Sequence, residues 1–221
     1  EQHRADISHC GYQMVFSDGR VSRFHDTGLL LEHDRITALR ELLSGVMIEP
    51  GLWNKLYRAE LIHRLLREQK IPHDIRINED LLMNFYLFSA AEKAVFEDWC
   101  PYHYIVRSGS ASRTKLNEHK IYDPIKVKEI IRKEATEELQ TDAQIAYLNS
   151  CIAVYHTLIT AGPGYQDDIR KVRNLIYSEK NSLKLLGKKR MWMACLIVAV
   201  PAIYTPIYRF YCRFLQKNVY Q

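Results

Sequence analysis

The chain has little glycine and proline: nine and seven of its 221 residues. It also has no internal repeat and no low-complexity stretch. These absences exclude collagen-like, solenoid and extended disordered architectures. Because 47% of the residues are hydrophobic and 26% are charged, the composition is that of a globular protein. This length suffices for one large domain, or for one domain with an appendage.

Cysteine pairs with the spacing of zinc ligands are missing. The five cysteines are scattered and include no CxxC or CxxH motif, so the sequence predicts no metal site in this chain. An odd and scattered set indicates free thiols in a reducing compartment. The first residues contain no secretory signal and no initiator Met, and they resemble the interior of a domain.

Acidic residues are missing from the end of the chain, after Glu179. Seven of the 31 lysines and arginines lie within residues 181–221, so the remaining 24 nearly balance the 26 acids. The net charge of +5 therefore comes from this tail. Its bases flank an apolar run instead of a stripe of surface aromatics, so we do not expect nucleic-acid binding.

That apolar run, residues 191–208, has 18 positions without a charge, between residues 188–190 (Lys-Lys-Arg) and Arg209. A transmembrane helix needs about 20 such residues, and Pro201 and Pro206 interrupt this one. We predict a helical tail, residues 188–221, that lies on or dips into an anionic membrane surface at the cytoplasmic face of the cell membrane. A true span and a helix packed on the body are the alternatives.

Hydrophobic periodicity and turn signals predict an α-rich α/β protein. A β-hairpin is expected over residues 7–24, around the turn Ser17-Asp18-Gly19. Short strands are expected at 94–96 and 102–106. Helices are expected at 35–43, 53–69, 80–91, 123–139, 143–160 and 166–177, with Asn78 and Asp123 as two of the N-caps. Residues 117–187 form the predicted helical extension.

Two adjacent carboxylates, Glu79 and Asp80, precede the very apolar segment 81–91. Acids seldom sit against such a buried-looking segment without a partner. A carboxylate in this position can act as a general base, and repulsion between neighbouring acids raises one pKa, which helps a base to work near neutrality. The alternative is that both acids only favour the dipole of the helix that follows.

Three segments carry a family resemblance: Gly51-Leu52-Trp53-Asn54-Lys55-Leu56-Tyr57-Arg58, Ile77-Asn78-Glu79-Asp80, and Tyr102 to Ser110. Together they resemble the glycosyltransferase family 2 enzymes of bacterial polysaccharide synthesis. Members have a W-x-K-L-Y-R helix start, an E-D pair before an apolar helix, and an aromatic strand that ends in Y-x-x-R-x-x-S. The resemblance covers roughly residues 1–130, and the order and spacing of the three segments make it specific.

The resemblance implies a partial GT-A fold, with residues 1–116 as the acceptor-side half. The nucleotide-binding half with its Asp-x-Asp motif has no counterpart in the sequence. A divalent metal, Mg or Mn, is expected for the full-length family enzyme, and no metal site is identifiable in this chain. We therefore expect either a fragment of a longer enzyme or a truncated copy.

The implied reaction is inverting transfer of a sugar from a nucleotide-sugar donor to a polysaccharide or lipid-linked acceptor. By the resemblance, Asp80 is the general base and Glu79 its neighbour. Trp53 can stack on a sugar ring, and Lys55 can meet a phosphate or hold an acid. Arg107 and Ser110 can face the donor diphosphate.

Each assignment has a structural alternative. Trp53 can be a hydrophobic anchor, Lys55 a surface lysine and Arg107 a solvated loop residue. For the whole chain, the alternative is a non-catalytic, truncated glycosyltransferase-like module that binds a partner or the membrane surface.

Overall fold

The computed structural model describes residues 3–24, 26–106 and 115–214. The chain divides into two compact units, Glu1–Asn117 and Glu118–Gln221. The first unit contains a β-sheet with helices, and the second is helical. The predicted α-rich α/β class is confirmed.

A five-stranded mixed sheet forms the centre of the first unit. Its strands are β1 (Ile7–Val15), β2 (Val21–Phe24), β3 (Leu30–Asp34), β4 (Lys55–Tyr57) and β5 (Lys93–Ile105). β1 pairs in parallel with β5, and β5 pairs antiparallel with β3. On its other side β1 pairs with β2 and β4, both antiparallel. The pairing of β1 with β2 confirms the predicted hairpin.

Three helices accompany this sheet: α1 (Arg35–Ser44), α2 (Ala59–Glu68) and α3 (Glu79–Ala90). α1 begins where the Asp34 carboxylate accepts a hydrogen bond from the Thr37 N–H at 2.8 Å, and it ends at Gly45, whose φ of 65° suits glycine. α3 is buried on most of its surface, because seven of its twelve residues are inaccessible. It is the apolar helix that the sequence predicted.

The strand β4 corrects the predicted helix over residues 53–69. The helix begins only at Ala59, and Lys55–Tyr57 pairs antiparallel with Ile7–His9. The leucines of α2 do follow the helical spacing that the sequence indicated. The residues Lys55–Tyr57, before them, form backbone hydrogen bonds with β1 instead, and this pairing overrides their local preference for helix.

A second correction concerns β5, which is one strand and not two. Between the pairs Cys10–Glu97 and Tyr12–Tyr102, the register advances two residues on β1 and five on β5. This irregularity leaves room for Pro101, which has no N–H to donate to a regular ladder. The strand therefore continues through a proline that predicted a break.

The second unit is built from five α-helices within its described part. They are α4 (Glu118–Glu134), α5 (Gln140–Thr160), α6 (Gln166–Ser178), α7 (Lys188–Ala199) and α8 (Pro201–Phe214). Short 3₁₀ segments at Glu137–Leu139 and Lys180–Leu185 connect them. The expected helices at 143–160 and 166–177 are present with slightly longer bounds.

The start of α4 is another correction. Asp123 and Pro124 were expected to begin this helix, yet they lie inside it. An interior proline forfeits one backbone hydrogen bond and strains the turn before it, at about 3 kcal/mol. Ile121 and Ile125 are buried on either side of it, at 4% exposure each. Burial of this apolar face offsets the cost.

The predicted apolar run 191–208 is divided between α7 and α8, which meet at Val200. Within the described ranges, no helix has both the length and the apolarity that a membrane crossing requires.

A buried histidine, His9, lies in the core of the first unit. Its ring stacks on Phe96 at 4.7 Å between centroids and meets the edge of Phe88. Among the described residues, neither ring nitrogen has a hydrogen-bond partner. Burial, with smaller contributions from the charges of Lys55 and His33, lowers the pKa of His9 to about 3. The ring is therefore neutral at physiological pH.

We expect His9→Phe to flatten the acid dependence of stability. The pKa of His9 lies at about 3 in the folded protein against 6.5 ordinarily, so acidification through this window favours the unfolded chain, which binds the proton. Between pH 6.5 and about 3, the free energy of unfolding of the variant should rise relative to that of wild type by up to about 1.4 kcal/mol for each pH unit of acidification. Urea unfolding at several pH values measures this difference. The exposed His63→Phe is the control, and a His9→Phe profile parallel to wild type would contradict the assignment.

Candidate functional site

A buried lysine organises the loop before β4. The Lys55 ammonium donates to the Glu49 carbonyl at 2.6 Å, the Gly51 carbonyl at 2.6 Å and the Asn54 side-chain oxygen at 2.8 Å. Burial lowers its pKa to about 8, although the charges of Glu49 and Asp80 oppose that shift. Three N–H donors meet three acceptors, so the ammonium is satisfied inside the protein.

Asn54 connects the same loop to β1. Its side-chain amide donates to the Cys10 carbonyl at 2.7 Å, and the Cys10 N–H donates to the Asn54 carbonyl at 3.1 Å. These bonds continue the pairing of β4 with β1 by one residue. The loop is therefore fixed from both of its sides, by Lys55 and by the sheet.

A second polar residue on α3, Asn84, joins the helix to this loop. It is fully buried, accepts a hydrogen bond from the Tyr57 hydroxyl at 2.7 Å and donates to the Pro50 carbonyl at 2.5 Å. Asn84 was not among the predicted site residues. Its signal was available, because Asp80 and Asn84 are one helical turn apart and share a face of an otherwise apolar helix.

The predicted general base, Asp80, is half-buried, whereas Glu79 is exposed. Burial raises the pKa of Asp80, and the negative charge of Glu79 raises it further. The Leu81 N–H, which donates to Asp80 at 2.8 Å, and the charge of Lys55 act in the opposite direction. The balance leaves a carboxylate that holds a proton more readily than a surface acid does.

The turn into α3 positions these acids. Asn78 occupies the predicted N-cap position, but its φ of 65° is left-handed and its side chain makes no capping hydrogen bond. Asparagine tolerates this conformation better than most residues do. The chain can therefore turn sharply from the preceding loop and place Asp80 in the first helical turn.

Aromatic side chains gather around Trp53. Its ring centroid lies 4.5 Å from that of Tyr102, 4.9 Å from that of Tyr12 and 5.8 Å from that of Tyr104. Trp53, Tyr102 and Tyr104 are each 36–37% exposed. Rings that are packed on one side and open on the other can stack on a planar or apolar face of a ligand.

Two members of this aromatic cluster, Trp53 and Tyr102, line a cavity of about 350 Å³. Other residues of its lining include His9, Lys55, Glu97 and Trp99. The cavity thus combines rings with polar groups, as ligand sites commonly do.

Of the predicted site residues, Trp53 and Lys55 line the cavity. Asp80 lies close enough to Lys55 for each charge to shift the pKa of the other. Arg107 and Ser110 lie outside the described residues. His9, Asn54 and the tyrosines were missed because their proximity depends on the pairing of distant strands.

In the parts of the chain that the structure describes, no group of three or more His, Cys, Asp or Glu side chains comes together as a metal site. The described residues therefore provide no such ligand set for the divalent ion that the family resemblance implies for the full-length enzyme.

Comparison with known proteins gives a likeness of fold. No family model matches the chain, and no curated protein matches it. Among solved structures, the chain is similar to that of S. aureus TarS 1-349 in complex with UDP-GlcNAc, with a TM-score of 0.66 and 15% sequence identity. The match covers 96% of this chain and 60% of the TarS chain, so the chain spans less than two thirds of that structure. The predicted partial glycosyltransferase fold is confirmed.

We expect Lys55→Met to destabilise the protein by about 3 kcal/mol, because three oxygen acceptors lose their donor. Urea unfolding monitored by circular dichroism gives the free energy of unfolding. Lys93→Met is the matched control: Lys93 is partly exposed and pairs with Glu32 at 2.6 Å, so its change should stay within about 1 kcal/mol. Equal effects of the two substitutions would show that the Lys55 hydrogen bonds add nothing.

Proposed function

We propose that the chain is the acceptor-side part of a glycosyltransferase that moves a sugar from a nucleotide-sugar donor to a glycan or lipid-linked acceptor. The observation that carries this proposal is the half-buried carboxylate of Asp80, with its raised pKa, at the start of α3 in a glycosyltransferase-like fold. The structural neighbour binds UDP-GlcNAc, which supports a nucleotide-sugar as the donor class.

In the proposed step, the Asp80 carboxylate takes the proton of an acceptor hydroxyl. The hydroxyl oxygen forms a bond to the anomeric carbon of the donor sugar from the side opposite the nucleotide. The bond from that carbon to the diphosphate breaks, and the electron pair leaves with the nucleoside diphosphate. One displacement of this kind inverts the anomeric configuration.

The charges around Asp80 suit this role. A base works best when its pKa lies nearer the working pH, and both burial and Glu79 raise the pKa of Asp80. Glu79 thus acts through its charge on the base. The charge of Lys55 partly opposes this rise in the pKa of Asp80, and the Lys55 ammonium also fixes the loop that carries Trp53.

The aromatic cluster around Trp53 is the proposed acceptor surface. Sugar rings present apolar C–H faces that pack on exposed aromatic rings, while their hydroxyls need polar partners at the edge. The exposed Glu97 lines the same cavity and offers such a partner. A saccharide is therefore the class of acceptor that this surface fits.

We expect Asp80→Asn to reduce sugar transfer by roughly a hundred- to ten-thousand-fold. The substitution is introduced into the protein at the length that the cell produces. Release of nucleoside diphosphate from a panel of UDP-sugars measures transfer. The same variant should melt at a higher temperature at pH 7. Burial raises the pKa of folded Asp80, so the ionised carboxylate lowers stability above that pKa, and the gain should vanish below about pH 4.

The matched control is Asp167→Asn. Asp167 also lies in the first turn of a helix, α6, but its side chain is 81% exposed. Its melting temperature shows how much stability a helix loses when an exposed acid in its first turn is neutralised. Full transfer activity in Asp80→Asn would remove Asp80 from the catalytic role. The non-catalytic module predicted as the alternative would be favoured if release of nucleoside diphosphate is the same with and without acceptor, and the same in wild type and Asp80→Asn.

We expect Trp53→Ala to weaken saccharide binding about tenfold, because the open ring face is lost. Saturation-transfer NMR with chitotetraose, cellotetraose and maltotetraose as probes provides the measurement. Trp192→Ala is the control, since Trp192 is 65% exposed in the second unit. Equal losses in both variants, or none in Trp53→Ala, would refute the acceptor surface.

A further inference from the structure

Helices α7 and α8 each expose a line of apolar side chains. They follow one another at intervals of three, four or seven residues, which places the members within each helix on one face. Their exposure ranges from 42% to 65%. We call this line the apolar stripe: Trp192, Leu196, Ile203, Ile207, Phe210 and Phe214.

The opposite side of each helix packs into the second unit. Ala194 and Ile197 of α7 are fully buried, and Tyr204 of α8 is 8% exposed and hydrogen-bonded to His156 at 2.7 Å. Each helix is thus fixed by its inner face while the apolar stripe remains open. Large exposed apolar side chains grouped on fixed helices mark an interaction surface.

The charges beside the apolar stripe have one sign. Lys188, Lys189 and Arg190 are exposed at the start of α7, and Arg209 and Arg213 are exposed on α8. No acidic residue occurs anywhere after Glu179. A second copy of this face would bring its five cations against the same five, so self-association is electrostatically disfavoured.

We propose that the apolar stripe docks on an anionic phospholipid membrane, with α7 and α8 lying along its surface. The aromatic and aliphatic side chains enter the boundary between headgroups and acyl chains. The flanking lysines and arginines meet the lipid phosphates, as in other interfacial helices. This proposal rests on the second unit alone and is independent of the proposed transferase activity.

The test is flotation of the full 221-residue chain with phosphatidylcholine vesicles, with or without about 30% phosphatidylglycerol. We expect binding to the anionic vesicles, and weakening when NaCl rises from about 0.1 M to about 0.5 M. The double variant Ile207→Ser/Phe210→Ser should bind at least tenfold more weakly. Lys188→Gln/Lys189→Gln should also weaken binding and reduce its salt dependence.

The matched control is Val46→Ser/Leu66→Ser, two exposed apolar positions of the first unit, at 56% and 65% exposure. It should bind vesicles like wild type, and circular dichroism should show unchanged folding in all three variants. Equal binding to neutral and anionic vesicles would overturn the proposal, as would unchanged binding of Ile207→Ser/Phe210→Ser. Light scattering that shows a wild-type dimer lost in this variant, without vesicle binding, would identify the apolar stripe as a self-interface instead.

Discussion

The first unit depends on a cation that is buried among oxygen atoms. An apolar side chain in place of Lys55 would leave the carbonyls of the preceding loop without donors. The loop that holds Pro50 against Asn84 of α3 and Trp53 beside the cavity would lose this support. Strand pairing, helix placement and the aromatic cluster are connected through this one ammonium group. Its low accessibility strengthens the three hydrogen bonds, because water does not compete for the same acceptors.

Local signals in the sequence were sufficient for some elements and insufficient for others. The hairpin around Asp18-Gly19 and the helix α3 were predictable, since turn chemistry and continuous apolarity act over a few residues. β4 was not, because three residues become a strand only when β1 offers them partners. Pro124 led to a wrong prediction for the opposite reason. Proline locally favours the first turn of a helix, but here burial of the surrounding helix face keeps it in the helix interior. For the site, Asp80 and Trp53 were recognisable by type, but the environment that shifts the pKa of Asp80 exists only after folding.

Burial distinguishes Asp80 from other acids at helix starts. Any carboxylate in a first turn benefits from the helix dipole, and α6 carries two of them, Asp167 and Asp168. Asp80 differs because the apolar helix behind it and the loop beside it remove water from the carboxylate. The same desolvation that suits a base makes the site unfavourable for the stability of the fold. Under the proposed function, catalysis and stability therefore make opposite demands on this position.

The parallel pairing of β1 with β5 has a consequence for how the protein is made. The strand that opens the first unit finds its main partner only in the strand that closes the unit, after three other strands and three helices have intervened. Such distant pairing is slow, because the intervening chain must be ordered before the contact stabilises anything. On the ribosome, the hairpin of β1 and β2 can close before β5 has emerged. The parallel pairing of β1 with β5 is therefore completed only after the other strands and helices of the unit have been synthesised.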